Sequence, residues 1–458
     1  MNSYTESDCM NKTIKHLSSA QVVLIGFLAI ILAGSVLLCL PISSADGKVV
    51  SYVDALFTAT TATCVTGLVT VPTVSTWSIF GQVIILLLIQ IGGLGVITIA
   101  ASIMMMLGKR IGIGNRILIQ DSFNLNSLSG IVKFIKKVII GTLIIEGIGA
   151  LLYMTVFVPD FGIKGIWISV FNSVSAFCNA GIDIISENSL CDYALNPVIN
   201  LTTSFLIISG GIGFVVWWDV IEIIKNKKRR HLRFLSLHSK IAISATAVLI
   251  VVGTILFFIF EYNNPLTMQS YSLIEKVEAS FFQSVTTRTA GFATIPQENF
   301  TNASSIVSLL LMFIGGSPVG TAGGIKTVTF VILLATAASV IKNKRTIDVF
   351  NRQISEKSIK KAIAVFATSF SVMTLSTILL SAASNADFLD MLYETVSATA
   401  TVGLTRNFTA SLNTVGKIII IATMYFGRVG PISLAVAFKM RKSSENIIEN
   451  PIEEISVG

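Results

Sequence analysis

The sequence predicts an all-α integral membrane protein in which four copies of one helix–half-helix–helix unit surround a common axis. Three observations predict this fold class. Of the 458 residues, 53% are hydrophobic and only 13% are charged, whereas a soluble domain carries about 25% charged residues. Several apolar stretches are long enough to cross a bilayer as a helix. A pattern of glycine and aromatic residues also recurs about every 110 residues along the chain.

The apolar stretches set the positions of the membrane helices. A helix needs roughly 20 apolar residues to cross about 30 Å of hydrocarbon, and residues 22–40, 83–107 and 241–260 meet that requirement. The first helix of each unit is predicted at about 20–41, 134–158, 240–261 and 360–383. A short segment follows each one, and a second span then returns across the membrane.

The short segments are predicted to be re-entrant half-helices. Residues 55–63 and 169–177, for example, are too few to cross a bilayer and are rich in Thr, Ser and Ala. Non-spanning backbone at membrane depth must be shielded by protein or face a water-filled cavity. Four such segments around an axis would shield one another.

The positive charges indicate the orientation in the membrane. The net charge is +8, and most of the 33 Lys and Arg residues fall in five clusters, at Lys12 and Lys15, 109–137, 225–240, 342–361 and 439–442. The chain crosses the membrane and returns between clusters, so all five lie on one side, which the positive-inside rule makes cytoplasmic. Both termini are therefore expected inside. A nucleic-acid-binding surface would not be divided by apolar spans, so that function is excluded.

Cysteine and histidine spacing favours neither a disulfide framework nor a metal site. The five cysteines show no paired spacing, and the three histidines lie in charged flanks: Cys9, Cys39, Cys64, Cys178, Cys191, His16, His231 and His238. The spans also contain no nucleophile–base pair. An enzyme is therefore not expected.

Four glycines mark the repeats, and they are separated by 114, 110 and 112 residues: Gly67, Gly181, Gly291 and Gly403. An aromatic residue lies ten positions before each of them, and a bulky apolar residue follows each directly. A second small-residue motif begins 24 to 29 residues later, at Gly92, Gly210, Gly315 and Gly427. The chain accordingly divides into a cytoplasmic N-terminus (1–19), repeats at 20–115, 130–235, 238–345 and 358–442, and a C-terminal tail (443–458).

The residues ending at each marker glycine have the chemistry of a cation selectivity filter. A dehydrated potassium ion can be coordinated by rings of backbone carbonyls, and glycine adopts the backbone angles that such rings require. The strips contain no Asp or Glu, which favours carbonyl ligands for K+. They comprise Val65, Thr66, Gly67, Asn179, Ala180, Gly181, Thr289, Ala290, Gly291, Thr401, Val402 and Gly403.

Close helix packing is the alternative role for these glycines, since small residues let membrane helices approach. For the strips it leaves the preceding half-helices unexplained. For the later motifs at Gly92, Gly210 and Gly315, packing is the favoured interpretation.

On these four strips, the chain resembles the Trk/Ktr/HKT superfamily of potassium transporters, from about residue 22 to the C-terminus. It is most similar to the Ktr-type membrane subunit, because Trk-type subunits carry two more N-terminal spans. Glycine at the first strip resembles members that select potassium over sodium. The resemblance implies eight transmembrane helices and four half-helices in a pseudo-fourfold arrangement around a central pore.

The resemblance also implies a biological setting. It implies potassium uptake across the bacterial plasma membrane, Na+ as an activator, a homodimer, and a separate cytosolic nucleotide-binding ring of RCK type. The chain itself shows no glycine-rich phosphate cradle, so no nucleotide is expected to bind to it directly. Its basic loops suit an acidic or phospholipid neighbour, and membrane lipid is an expected contact.

A gate is expected in the third repeat. Residues 313–326 read FIGGSPVGTAGGIK, and glycine and proline cost a helix about 1 and 3 kcal/mol each. The resemblance implies that this loop gates the pore, with gate residues Gly315, Gly316, Ser317, Gly320, Gly323, Gly324, Lys326 and Arg428.

Two interpretations stand for each of the gate cations. Arg428 lies in the fourth inward span, where a buried charge is costly and usually functional. It is either a positive barrier to cations below the filter or a structural tie to helix-end carbonyls. Lys326 either assists that barrier or extends to the membrane interface.

The other charged residues in or near the spans are expected to pair with neighbouring helices or to lie at the outer mouth. Glu146 and Asp219 fall in spans and are expected to pair with neighbouring helices rather than contact ions. Outer acidic residues, among them Asp54, Asp183, Asp390 and Glu394, would concentrate cations at the mouth. Arg288 beside the third strip opposes that trend.

Two other transport mechanisms remain open. One is a secondary active cation transporter working by alternating access, which often carries inverted repeats with broken helices. The other is a Trk-type proton–potassium symport subunit. Repeats that share one orientation, each with its own re-entrant segment, favour a pore.

Overall fold

The computed structural model describes residues 18–107, 112–122, 130–226 and 232–430. In chain order its helices are α1 (Ser19–Leu38), α2 (Tyr52–Cys64), α3 (Thr73–Thr76), α4 (Ile79–Leu94), α5 (Val96–Met106), α6 (Ile113–Ser122), α7 (Ile131–Phe161), α8 (Lys164–Cys178), α9 (Pro197–Gly211), α10 (Phe214–Lys225), α11 (Leu237–Glu261), α12 (Leu273–Thr286), α13 (Asn302–Phe313), α14 (Thr327–Ile341), α15 (Glu356–Ala383), α16 (Phe388–Ala400) and α17 (Thr414–Val429). The basic segments 1–17 and 431–458 lie outside the described residues, as do 108–111 and 123–129 around the cluster 109–137 and 227–231 of the cluster 225–240.

Four long helices, α1, α7, α11 and α15, match the predicted first spans. Each is long and apolar enough to cross a membrane. Serine N-caps begin three of them: Ser18, Ser236 and Ser355 accept hydrogen bonds from the backbone N–H groups of Gln21, Ser239 and Ser358. Such caps satisfy donors that the first turn leaves free.

Four short helices, α2, α8, α12 and α16, lie where half-helices are predicted. They are largely buried although they are rich in hydroxyl side chains. In each, a hydroxyl donates to the carbonyl four residues earlier: Thr60 to Leu56, Ser169 to Gly165, Ser280 to Lys276 and Thr395 to Met391. These four hydroxyl groups are therefore satisfied within their helices, whereas Thr63 Oγ1 and Thr399 Oγ1, nearer the strips, are buried without a hydrogen-bond partner.

The second spans are broken more often than the sequence indicates. Residues 83–107 are not one straight helix, because α4 and α5 are bent by 99° at Gly95. The α9–α10 pair is bent by 97° around Gly213. Gly95 and Gly213 have φ of 86° and 96°, a conformation that ends an α-helix and suits glycine. Gly430, at the end of α17, has φ 88°.

In the third repeat, the second span is interrupted as predicted: α13 ends at Phe313 and α14 begins at Thr327. Among the described residues, the two strands form one short hairpin, in which β1 (Asp348–Val349) pairs antiparallel with β2 (Arg352–Gln353). This hairpin is a small departure from the all-α prediction and falls in the basic segment 342–361.

Candidate functional site

The four marker glycines lie against one another in a closed ring. A Cβ atom added to Gly67 would lie 2.6 Å from the Ala180 carbonyl oxygen, and one added to Gly181 would lie 2.5 Å from that of Ala290. The series continues: a Cβ on Gly291 would lie 2.5 Å from the oxygen of Val402, and one on Gly403 would collide with that of Thr66. Each glycine thus faces the carbonyl preceding the next glycine, and the fourth repeat returns to the first.

The strips share one backbone conformation. The glycines have φ of 100°, 62°, 84° and 99° in chain order. The residue two positions before each is also left-handed although it is not glycine: Val65, Asn179, Thr289 and Thr401, with φ between 50° and 71°. Such angles are unfavourable for residues with side chains and gather at functional sites. All twelve strip residues are buried.

Hydroxyl groups of the half-helices accept hydrogen bonds from backbone N–H groups of the strips and of Ile182, the residue after the second strip. These hydrogen bonds were not predicted from the sequence. Thr61 Oγ1 accepts the N–H of Gly67 at 3.0 Å, and Ser397 Oγ accepts that of Gly403 at 3.0 Å. Ser175 Oγ accepts the N–H of Ile182 at 3.1 Å. A hydroxyl residue six positions before the glycine is the signal that could have found them.

The third strip is held differently. The residue six positions before Gly291 is Val285, and the next one, Thr286, donates to the Phe292 carbonyl at 2.6 Å. Arg288 is buried and reaches Thr246 of α11, with Nη2 3.4 Å from Oγ1. The guanidinium therefore lies behind the strip, toward a supporting helix.

A cavity of about 220 Å³ opens on one side of the ring and is lined by all four glycines. Asp183, Glu187 and Glu298 also line it. Of the four outer acids singled out in the sequence, only Asp183 lines this cavity. Asp54 and Asp390 form ion pairs with Lys417 and Arg406, and buried Glu394 accepts hydrogen bonds from Thr405 (2.7 Å) and Thr409 (2.6 Å).

The loop between α13 and α14 packs against the second repeat. Ser317 and Thr321 donate backbone N–H groups to the carbonyls of Gly211 and Gly210, at 2.8 and 3.1 Å. Thr321 Oγ1 donates to the Phe177 carbonyl at 3.0 Å, in the last turn of half-helix α8. The N–H of Phe214, first residue of α10, donates to the Val319 carbonyl at 2.9 Å. The bend in the second repeat thus holds the loop.

The same loop also reaches the fourth strip. A Cβ on Gly323 would collide with the Thr401 side chain and would lie 2.6 Å from the Ala400 carbonyl oxygen. The N–H of Gly315 donates to Ile325 at 3.0 Å, which closes the base of the loop. The predicted gate residues and the strips therefore occupy one connected site.

Arg428 joins this site. Its Nη1 donates to the Thr321 carbonyl at 2.6 Å, and its Nη2 donates to those of Gly92 (2.6 Å) and Gly93 (3.4 Å). The tie to helix-end carbonyls is thus present, and its other end is the loop itself. Carbonyl partners orient the guanidinium without neutralising its charge.

The remaining charged residues in the spans pair locally. Lys326 Nζ donates to the Ala322 carbonyl at 2.5 Å, so the side chain turns into the loop rather than toward the interface. The Glu146 carboxylate accepts a hydrogen bond from Gln90 of α4 at 3.4 Å. Asp219 accepts hydrogen bonds from Ser236 and Ser239 at the start of α11. Glu146 and Asp219 pair with neighbouring helices, as expected.

The later glycines serve close packing. A Cβ on Gly92, Gly210 or Gly427 would collide with the carbonyl of Thr63, Phe177 or Thr399, in each case the residue four positions before a strip glycine. Gly315 packs within the loop, where a Cβ would collide with the Gly323 carbonyl and would lie 2.9 Å from the Gly324 Cα. The second spans therefore approach the ends of the half-helices closely.

Comparison with known proteins agrees with this architecture. Residues 11–450 match the TrkH family, described as cation transport protein. The chain is 40% identical over 439 residues to the Ktr system potassium uptake protein B of Bacillus subtilis, covering 96% of each chain. It is 38% identical over 452 residues to the potassium/sodium uptake protein NtpJ of Enterococcus hirae, covering 97% of this chain and 98% of the relative.

A solved structure has the same fold. The potassium transporter TrkH from Vibrio parahaemolyticus superimposes with a TM-score of 0.72 at 19% sequence identity, over 92% of this chain and 84% of that one. The chain belongs to the TrkH family of cation transport proteins and is a membrane transporter rather than an enzyme.

Proposed function

We propose that this protein takes up potassium through a gated, carbonyl-lined filter formed by the four glycine strips. The closed ring of Gly67, Gly181, Gly291 and Gly403 is the observation that carries the proposal. It brings four carbonyl-bearing strips of left-handed backbone to one place, each at the end of a half-helix. Main-chain oxygens can replace the hydration shell of a monovalent cation there.

The surroundings of the ring support conduction rather than alternating access. Each strip has its own supporting half-helix, and the outer cavity leads directly to all four glycines. The proposal includes eight transmembrane helices and four half-helices in pseudo-fourfold order around this pore. The second spans are taken as broken helices, with the bends at Gly95 and Gly213 on the cytoplasmic side.

The gate in this proposal is the loop 313–326 together with Arg428. The loop contacts half-helix α8 and the fourth strip, and Arg428 holds its Thr321 carbonyl. A positive charge at this position opposes cation passage, because it acts in a low-dielectric environment. Movement of the loop and the guanidinium together would open the pathway.

The setting follows that of the relatives. The name of the Bacillus relative describes a Ktr system, which supports a partner subunit, and we propose a cytosolic nucleotide-binding ring of RCK type. A homodimer in the bacterial plasma membrane, both termini cytoplasmic, completes the assembly. The Enterococcus relative is a potassium/sodium protein, and Na+ is proposed here as an activator.

Uptake assays in a bacterium lacking its own potassium transporters test this function. The wild type is expected to restore growth at low K+, and Gly291→Ser to lose preference for K+ over Na+. Deletion of residues 315–324 is expected to raise flux and weaken its regulation. Gly47→Ser is the matched control, because Gly47 also has positive φ (67°) but has no atom near an added Cβ. Unchanged selectivity in Gly291→Ser, at equal abundance in the membrane, contradicts the filter assignment.

A further inference from the structure

The fourth residue of each second-span helix links one repeat to the next. These residues are Gln82 in α4, Asn200 in α9, Ser305 in α13 and Lys417 in α17. Their partners belong to the following repeat: Trp167 Nε1 to Gln82 Oε1 (2.8 Å), Asn200 Nδ2 to Glu278 Oε1 (2.9 Å), Arg406 Nη1 to Ser305 Oγ (2.9 Å) and Lys417 Nζ to Asp54 Oδ1 (2.6 Å). The four contacts form a belt around the half-helices.

In the first and fourth repeats, the belt reaches the strips through the residues three positions after the marker glycines, Thr70 and Arg406. In the first repeat, Asp54 also accepts a hydrogen bond from Thr70 at 2.9 Å. In the fourth, Asp390 accepts one from Arg406 at 2.8 Å. The equivalent pair in the second repeat is Ile168 and Ile184, both buried and apolar. A neighbouring repeat can therefore bias the end of a strip.

The junction between the fourth and first repeats differs from the other three. Repeats one to four follow one another along the chain, but Asp54 and Lys417 are 363 residues apart, and no covalent linker joins their repeats. This junction carries a salt bridge whose side chains are only 15% and 17% exposed. Charge-assisted hydrogen bonds are stronger than neutral ones, and limited exposure reduces screening.

We infer that the Asp54–Lys417 pair closes the ring of repeats and is a positioning pair that sets cation preference at the strips. This inference rests on the proposed filter function. Through Thr70, the pair fixes the end of the first strip relative to helix α17 of the fourth repeat. The strips of these two repeats meet where Gly403 lies against Thr66. Loosening it widens the ring at its one non-covalent joint, and a wider ring discriminates less between K+ and Na+.

The test is a charge-reversal cycle on the full-length protein in proteoliposomes. Asp54→Asn and Lys417→Met are expected to lower K+ preference over Na+ by about tenfold, the effect of losing one charged hydrogen bond. Asp54→Lys and Lys417→Asp are expected to lower it as well, and the double reversal to recover most of the wild-type preference. Glu356→Gln is the control, because its pair with Lys360 is highly exposed, at 89% and 82%.

The double reversal separates positioning from simple attraction of cations by Asp54, since it leaves a positive charge at position 54. Wild-type preference in the neutral variants, or a double reversal no better than the single reversals, overturns the inference. If the single variants do not purify as folded protein, recovery of folding in the double variant supports the inference and its failure contradicts it. If the wild type itself does not prefer K+ over Na+, that result rejects the proposed function rather than this inference. In that case the thermal unfolding temperatures of the same variants still test whether the pair closes the ring.

Discussion

Arg428 donates a hydrogen bond to the carbonyl of Thr321, 107 residues away, at the turn of the loop that interrupts the third repeat. The other guanidinium nitrogen donates to Gly92, at the end of α4. One side chain thus connects the first, third and fourth repeats beside the ends of the half-helices. A residue held in this way can couple movement of the loop to the charge along the pathway.

Replacing Arg428 tests this coupling. Arg428→Gln removes the positive charge and is expected to raise K+ uptake several-fold in the absence of a regulatory partner. Arg428→Lys keeps the charge but loses the forked geometry that reaches two carbonyls, and it is expected to give an intermediate flux. Uptake by cells with equal amounts of each variant in the membrane measures the effect. A lower flux in Arg428→Gln would show that the residue is needed for assembly rather than as a barrier.

The hydroxyl of Thr321 is expected to hold the loop closed. It donates to the Phe177 carbonyl at 3.0 Å, so Thr321→Val removes one buried hydrogen bond, worth roughly 1 kcal/mol. The closed state is then less favoured, and basal flux rises up to about fivefold. Thr321→Ser retains the hydroxyl and serves as the matched control. Equal K+ flux through Thr321→Val and Thr321→Ser would show that this hydrogen bond does not hold the gate closed.

Strip support gives a prediction about selectivity and stability together. Thr61→Val leaves the buried N–H of Gly67 without its acceptor, at a cost of about 1–3 kcal/mol. Thermal stability and K+ preference should both fall, whereas Thr61→Ser should preserve both. Ser397→Ala is the equivalent change in the fourth repeat. Lower thermal stability with unchanged K+ preference would show that the Thr61 hydroxyl contributes to folding but not to selectivity.

K+ affinity at the outer cavity should depend on external pH, because Asp183 lines this cavity. Burial raises the pKa of the Asp183 carboxyl from 3.8 to about 6, against the lowering effect of hydrogen bonds from Ser189, Ile185 and Ser186. The carboxyl is therefore about half ionised near pH 6, and K+ affinity is expected to fall as external pH drops from 7 to 5. Because the folded-state pKa is raised, ionisation lowers stability as pH rises through about 4 to 6.

Asp183→Asn is expected to abolish this pH step and to weaken K+ affinity at pH 7 to the level that the wild type shows at pH 5. The measurement is the concentration dependence of Rb+ uptake at each external pH. Asp46→Asn, at an exposed carboxylate before α2, is the control. If K+ affinity in Asp183→Asn still fell by the same amount between pH 7 and pH 5, the titrating group would be a residue other than Asp183.

Much of the architecture follows from periodicity and composition. The long helices and the half-helices appear where apolar length and hydroxyl content predict them, because membrane thickness and the need to satisfy buried polar groups leave few alternatives. The bends at Gly95 and Gly213 were missed. Glycines inside an apolar run are compatible with a straight membrane helix. The contact of Gly213 with the Pro318 carbonyl in the loop of the third repeat is a tertiary contact that no sequence pattern reveals.

The contacts of the site were less predictable. The spacing of the marker glycines indicated that they meet, and the structure brings them together. It could not reveal that Arg428 bonds to Thr321 or that Lys326 turns back to Ala322, since these depend on where a loop without periodic structure folds. The link between Asp54 and Lys417 was also hidden, because no pattern relates residues 363 positions apart until the ring is closed.

Localisation of a heavy monovalent cation tests the central claim most directly. Crystals of the protein grown with Tl+ or Rb+ in place of K+ should show anomalous density on the axis encircled by Gly67, Gly181, Gly291 and Gly403, coordinated by the carbonyl oxygens of the strips. Competition with K+ should remove that density more readily than competition with Na+. Density bound elsewhere, with none inside the ring, would contradict the account.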